Sequence, residues 1–338
     1  MGLSIRLGSP RIDSYNGLIV SHCPYHPAGK APAAATSKEH IIPFAIGGSN
    51  DFTIQTCIDC NSVMGDTVDV LLVNYPLIQI KRLLLGLEGT GGTEPAWKAE
   101  GTADFQGKEV RVRYVLKPSG SRIVSPPSVE VQELHDGSKR YQIVCEASDA
   151  RKILDGITKR YEKRGFKMPP ADAVISEGIV VNWTPEIQMR WKAPNFSRPF
   201  AKMALGTGCF LFGDDYAQTN GASLLRTALW TENEQEVRKL PLHGSVWPRL
   251  PRNIDVFKQC IRKDEHFCLV SKSEKRLLLT CFLFGEIGGV VALCEDDEAQ
   301  RFEVLSDGIL LIIDPVTRRM IRHGFAEYLA GLDASTGG

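Results

Sequence analysis

The chain has 338 residues, 43% of them apolar and 24% charged, with a formal net charge of zero. That length exceeds the usual single domain and predicts two or three, and the composition is that of a globular protein rather than a disordered or collagenous one. No apolar run reaches the 18 or so residues that span a bilayer, which argues against any membrane call. The neutral total withholds the overall basic footprint of a phosphate-binding protein. The first residues, MGLSIRLGSPRID, lack an apolar signal core. Nine cysteines without a disulfide rhythm predict a reducing compartment, and the cytoplasm is the expected location.

The densest chemistry lies near the N-terminus. Three of the seven His (His22, His26, His40) and three of the nine Cys (Cys23, Cys57, Cys60) fall within residues 22–60. Random scatter would place about one of each there, so the clustering asks for a reason. Cys23/His26 and Cys57/Cys60 are two pairs in which the ligands sit three residues apart, and each can chelate one ion from a single turn. Together they predict a closed tetrahedral zinc site of three sulfurs and one nitrogen. His22, beside Cys23, is an alternative nitrogen ligand. The 30 residues between His26 and Cys57 are too few for a core of their own, so metal ligation would supply much of the local folding energy.

Inside that span, Glu39-His40-Ile41-Ile42-Pro43 predicts a short strand ended by proline, which cannot donate to a sheet ladder. Ala45 to Asn50, with Gly47-Gly48, predicts a tight loop. Phe52 to Thr56 alternates like a second strand, and Cys60 to Asp69 predicts a short helix. The order is strand, loop, strand, helix.

The runs EHIIPFAIGG and CIDCN in this order resemble the HNH, or ββα-metal, endonucleases of the zinc-stapled subgroup, over roughly residues 20–70. The resemblance implies that His40 is the general base that deprotonates the attacking water. It implies that Glu39 and Asn61 bind a catalytic divalent ion, Mg²⁺ or Mn²⁺. It also implies a structural Zn²⁺ on Cys23, His26, Cys57 and Cys60. His26 stands where most relatives have Cys, Asn61 takes the place of the last His, and Met64 sits where a Lys is frequent. The family's middle Asn, which orients the base, falls on Phe52; Asn50 nearby either substitutes for it or only makes the turn. The chemistry agrees with this division. A phosphodiester gains negative charge in its transition state, which a hard cation offsets. An imidazole near its ordinary pKa has a neutral fraction able to take a proton at physiological pH.

Residues 1–75 hold four Lys/Arg against six Asp/Glu, so the grip on a polyanion must come from elsewhere. Leu77–Leu87 predicts a helix leaving the module, and EGTGGTEP from Glu88 to Pro95 predicts a linker. Strands are expected at Lys108–Leu116, Ser128–Leu134 and Arg140–Cys145. Residues 151–167 carry seven basic and two acidic residues at amphipathic spacing. Their outer face, with Lys159, Arg160, Lys163 and Arg164, is either a nucleic-acid contact or a solvated helix surface. Extended chain is expected at Ala173–Trp183, and a helix pair at Phe200–Phe212 and Ser223–Trp230. GTGCFLFG within it lacks the Lys-Ser/Thr ending of a phosphate loop. Strands are expected at Phe267–Ser271, Arg276–Phe284, Gly289–Cys294 and Gly308–Ile313, then a helix over Arg319–Leu332. Cys268, Cys281 and Cys294 are expected as core thiols without partners, and Arg318, Arg319, Arg322 and His323 as surface charge.

The fold class expected is therefore α+β. A zinc-stapled module at residues 1–88 precedes a mixed α+β recognition region at 89–338, divisible near 195. The expected activity is metal-dependent hydrolysis of nucleic acid, DNA above RNA, in bacterial defence or a mobile element with partner proteins of that system. The alternative is a zinc-containing protein whose nuclease chemistry has lapsed and which binds nucleic acid or senses a signal.

Overall fold

The computed structural model describes residues 23–27, 35–105, 108–124, 128–133, 135, 139–144, 147–163, 186–187, 196–240, 242, 244–247, 261, 264–273, 275–304 and 307–336. His22, Arg164 and the extended run expected at Ala173–Trp183 lie outside the described residues. Strands β1 (Thr36–His40) and β2 (Thr53–Cys57) form an antiparallel hairpin in which Thr36 faces Cys57 and His40 faces Thr53. The first strand ends at His40 rather than running to Pro43. Beyond it the chain closes on itself, with Ile46 and Gly48 both donating to the Pro43 carbonyl around a 3-10 turn at Phe44–Ile46. Gly47 has φ 91°, and a Cβ there would collide with Pro315, so this turn requires glycine.

Helix α1 (Ile58–Met64) begins directly after β2, with Asp59 in its first turn favourable to the helix dipole. It continues through a π-helical turn, Gly65–Asp69, into α2 (Val70–Val73). The helix expected over Cys60–Asp69 thus starts two residues earlier and changes pitch at its end. α3 (Pro76–Leu84) follows, opened by a proline whose missing N–H costs nothing in the first turn. The expected linker begins with a closed turn, Gly89 N–H bonding Thr93 O at 2.8 Å.

The chain divides into two compact units, Met1–Glu94 with Ala193–Gly338, and Pro95–Lys192. The second is antiparallel. β3 (Trp97–Phe105), β4 (Lys108–Lys117), β5 (Gly120–Val124) and, after the intervening elements, β8 (Glu186–Ile187) form a sheet in the order β5-β4-β3-β8. β6 (Ser128–Glu133) pairs with β7 (Lys139–Val144), and α4 (Ala147–Glu162) comes next. Of these strands the sequence suggested β4, β6 and β7.

Among the described residues, the rest of the first unit holds α5 (Ser197–Ala217), α6 (Asn220–Trp230), α7 (Glu234–Lys239) and six strands. These are β9 (Gly244–Trp247), β10 (His266–Lys272), β11 (Arg276–Leu283), β12 (Ile287–Glu295), β13 (Ile309–Asp314) and β14 (Arg319–Gly324), with short Asp296–Gln300 and final Phe325–Thr336 helices. The sheet order is β14-β13-β10-β11-β12-β9, antiparallel throughout. The middle strands read as unbroken apolar runs because both faces are covered. One face joins the α5 and α6 core; on the other, Phe267, Leu269, Phe282, Leu310 and Ile312 pack against Phe325, Tyr328 and Leu329.

α5 is buried from Pro199 to Phe210, as befits a helix with apolar residues on all sides. GTGCFLFG lies within it and makes no phosphate loop. Gly206 sits against Ile41 and Tyr25, letting the helix approach the hairpin. One contiguous core therefore runs from Cys23, Ile41 and Met64 through α5 to Leu279, Leu283 and Ile313. The helix expected over Arg319–Leu332 is instead strand to Gly324 and helix beyond. Asp314 Oδ1 accepts from the Val316 and Thr317 amides, and Arg318 at φ 56° turns the chain back as a hairpin. Cys268 and Cys281 were expected without partners, but they face one another across β10 and β11 with Sγ atoms 3.3 Å apart. Among the described residues no helix is long and apolar enough to cross a membrane.

Candidate active site and metal centre

The knuckle is built by a turn and a helix start. The His26 amide bonds Cys23 O at 3.1 Å, closing the first pair, while Cys57 and Cys60 flank the beginning of α1. The three thiol sulfurs of Cys23, Cys57 and Cys60 lie within 4.8 Å of one another and could hold a metal ion. The His26 ring is not within that set, yet its Nδ1 is buried with no hydrogen-bond partner. A buried ring nitrogen without a partner is costly unless something accepts its lone pair or proton, and a cation beside the three sulfurs would do so. Burial pushes the Cys23 and Cys60 thiols up; the Cys57 thiol adds to both, while backbone hydrogen bonds from Cys57 and Tyr25 draw Cys23 back down. Only a bound cation makes three adjacent thiolates favourable. α6 fixes the first pair from outside, Arg226 Nε donating to Pro24 O at 2.7 Å and Trp230 Nε1 to Tyr25 O at 2.6 Å.

Residues alternate along β1, so Ser37 and Glu39 share one face while Lys38 and His40 take the other. Asn61, one turn into α1, donates from Nδ2 to Ser37 Oγ at 2.9 Å and to Lys38 O at 3.2 Å. Its amide thus lies against the peptide unit that leads into Glu39. With both amide hydrogens committed, Oδ1 is the atom available to a cation.

Glu39 is 5% exposed and ion-paired through Oε1 with Lys202, which is 1% exposed. The same ammonium reaches Asp69 Oδ1 at 2.7 Å and Oδ2 at 2.8 Å, and the His40 carbonyl at 3.3 Å. Burial raises the Glu39 carboxyl to about 7, with Lys202 opposing and Asp69 adding to the rise. Asp69 is raised by burial as well, against the pull of Lys202. Lys202 itself is raised, the two carboxylates outweighing its burial. The π turn at the end of α1 delivers Asp69 to this cluster.

His40, half-buried, leaves the other side of the strand. Its Nε2–H donates to Asn50 Oδ1 at 3.1 Å, and its ring packs edge-on against Phe44 with centroids 5.1 Å apart. Burial lowers its pKa, Asn50 raises it, and Lys202 and Arg318 lower it further. Burial thus favours the neutral ring, and with Nε2–H donated to Asn50 the lone-pair nitrogen of that ring is Nδ1. Of the site residues expected from sequence, His40 meets Asn50, and Asn61 meets the β1 backbone beside Glu39. Glu39 meets Lys202, a residue the sequence reading passed over.

The loop after His40 is held by three donors from outside the hairpin. Arg318 Nη1 bonds Phe44 O at 2.6 Å, Arg82 Nε bonds Ala45 O at 2.6 Å, and His266 Nε2–H bonds Ile46 O at 2.8 Å. Arg318 also lies 3.5 Å over the Phe44 ring and bonds Glu88 O. His266 Nδ1 accepts from the Phe284 amide, so the ring is neutral, and burial lowers its pKa to about 4. In the second unit, Lys159, Arg160 and Lys163 are exposed on and just after α4.

Residues 29–76 match the family model described as HNH endonuclease. No curated protein and no solved structure matches the chain.

Proposed function

We propose, from the match of residues 29–76 to the HNH endonuclease family model, that this chain is a metal-dependent endonuclease that nicks or cleaves nucleic acid, DNA in preference to RNA. The observation that carries the reading is His40, half-buried and oriented by its hydrogen bond to Asn50. With Nε2–H committed to Asn50, Nδ1 takes the proton of the attacking water, a role worth roughly 10²–10⁴-fold in rate. The Glu39 carboxylate and Asn61 Oδ1 are a hard, oxygen-only donor pair, which suits Mg²⁺ or Mn²⁺. When bound, such an ion supplies positive charge to the scissile phosphate and the leaving 3′ oxygen. Zn²⁺ on Cys23, Cys57 and Cys60, with His26 or His22 as the fourth ligand, fits the soft donor set of the knuckle.

One such site cuts one strand per event and leaves 5′-phosphate ends, so a duplex break needs two copies or two encounters. Lys159, Arg160, Lys163 and Arg164 are the proposed phosphate contacts of the second unit, whose role is recognition of substrate or of a partner. A place in bacterial defence or in a mobile element, acting in the cytoplasm, completes the proposal.

A supercoiled plasmid incubated with Mg²⁺ or Mn²⁺ tests it. Wild type should convert it to nicked circles, and His40→Ala should be slower by about 10²–10⁴-fold at an unchanged melting temperature. Equal cutting by both proteins would place the activity elsewhere. The burial of Glu39 against Lys202 favours a second reading, a chain that keeps its zinc knuckle and binds nucleic acid or senses a signal without cutting. Binding without cutting by either protein would support it.

A further inference from the structure

We propose that Lys202 is a positioning residue of the catalytic metal site, fixing the Glu39 carboxylate and the His40 main chain with one buried ammonium whose charge Asp69 compensates. The inference rests on the reading of Glu39 as a metal ligand. Lys202 comes from Pro199–Phe210 of α5, a stretch buried throughout, and burying a lone ammonium there is costly without full compensation. The compensation is complete. Asp69 offers both oxygens at 2.7 and 2.8 Å, Glu39 offers Oε1, and the His40 carbonyl lies at 3.3 Å.

A structural ion pair would need only one carboxylate. The second leaves the cluster with one net negative charge when both are ionised, and that charge belongs beside a cation. Asn61 bonds Ser37 Oγ, on the same face of β1 as Glu39, and the peptide just before Glu39, so the other candidate oxygen ligand is tied to the same short stretch of strand. Lys202 also grips the two consecutive residues whose roles must be coordinated: the carboxylate of Glu39 and the backbone of His40. A partner that orients a ligating carboxylate in this way typically changes metal affinity by about 10–100-fold when removed.

Mn²⁺ binding followed by electron paramagnetic resonance, without nucleic acid, tests the proposal on the full chain. Wild type should bind Mn²⁺, and Glu39→Gln should weaken it, which assigns the site. The double variant Lys202→Met/Asp69→Asn keeps the net charge and Glu39. It should bind Mn²⁺ about tenfold or more weakly at unchanged zinc content. Unchanged affinity would make the pair merely structural and overturn the proposal. Tighter binding would make Lys202 a competitor for Glu39 and overturn it equally. Mn²⁺ binding indifferent to Glu39→Gln would instead remove the metal role of Glu39 itself. Should the double variant not fold, Asp69→Asn alone leaves Glu39 as the sole carboxylate on the Lys202 ammonium. That single variant should weaken Mn²⁺ binding by about tenfold, and unchanged affinity again overturns the proposal.

Discussion

The hairpin with its helix and the six-stranded sheet divide the first unit in opposite ways. Residues 36–64 carry Glu39, His40, Asn50, Cys57, Cys60 and Asn61, and their apolar residues, among them Ile41, Ile46, Phe52 and Met64, are buried in a core shared with α5 and the sheet rather than in one of their own. The sheet carries continuous apolar strands buried on both faces, and almost no chemistry. Yet His266 from β10 and Arg318 from the β13–β14 turn hold the Ile46 and Phe44 carbonyls of the loop that follows His40. The lesson is that a short metal-dependent module need not be self-sufficient. Here a metal is expected to fix one end, and a distant sheet fixes the other.

The sharpest way to break that division is at the metal end. Cys57→Ser and Cys60→Ser should abolish zinc binding and with it the cutting activity. Metal ligation supplies on the order of 10 kcal/mol in small zinc-dependent folds. Hydrogen exchange should show β1, β2 and α1 losing protection while β10, β11 and β13 keep theirs. Full zinc content in these variants, measured by elemental analysis, would take the knuckle out of the argument.

A smaller effect is expected at the sheet end, and it is readable in acid. His266 is fully buried and neutral, with its pKa lowered from 6.5 to about 4 by burial. Below pH 6.5 the unfolded chain takes up a proton that the folded chain refuses until about pH 4. The contribution is intact above 6.5, declines through that window and is exhausted below 4, about 3 kcal/mol in all. Urea unfolding across pH 4–7 should show that loss, and His266→Gln should flatten it. An unchanged slope in the variant would assign the acid sensitivity to other groups.

How much of this the sequence disclosed follows the same divide. The hairpin order, the cysteine pairs and the Glu-His dyad were legible because local spacing encodes a turn or a chelate directly. Lys202 and Asp69 were not read as site residues, since their partnership spans 133 positions and no short motif records it. A signal did exist: a single Lys inside PFAKMALGTGCFLF is a charge in an otherwise buried helix, and such a charge needs a partner. The strand at Arg319–Gly324 reads as helix in the sequence because its residues mix charge and apolar character without clean alternation. Its identity is set by pairing with β13 through the turn at Pro315. The cysteine pair at 268 and 281 depended on strand register, which the 13-residue spacing does not specify.

Arg318 tests whether the sheet merely supports the loop or also sets the base. The sequence grouped it with surface charge, but it stacks on Phe44, on whose ring His40 also packs, and it holds Phe44 O and Glu88 O. Because the guanidinium is half-buried, water can replace part of what Arg318→Ala removes, and the stability loss should be about 1–2 kcal/mol. If the stack positions His40, the turnover rate should fall several-fold at full metal saturation while Mn²⁺ affinity holds, since Arg318 touches no candidate metal ligand. A loss confined to stability, with turnover per folded molecule unchanged, would reduce the sheet to a scaffold. A loss in Mn²⁺ affinity instead would mean that the loop and the Glu39 site move together, so that the two ends of the module are coupled through the His40 backbone that Lys202 also grips.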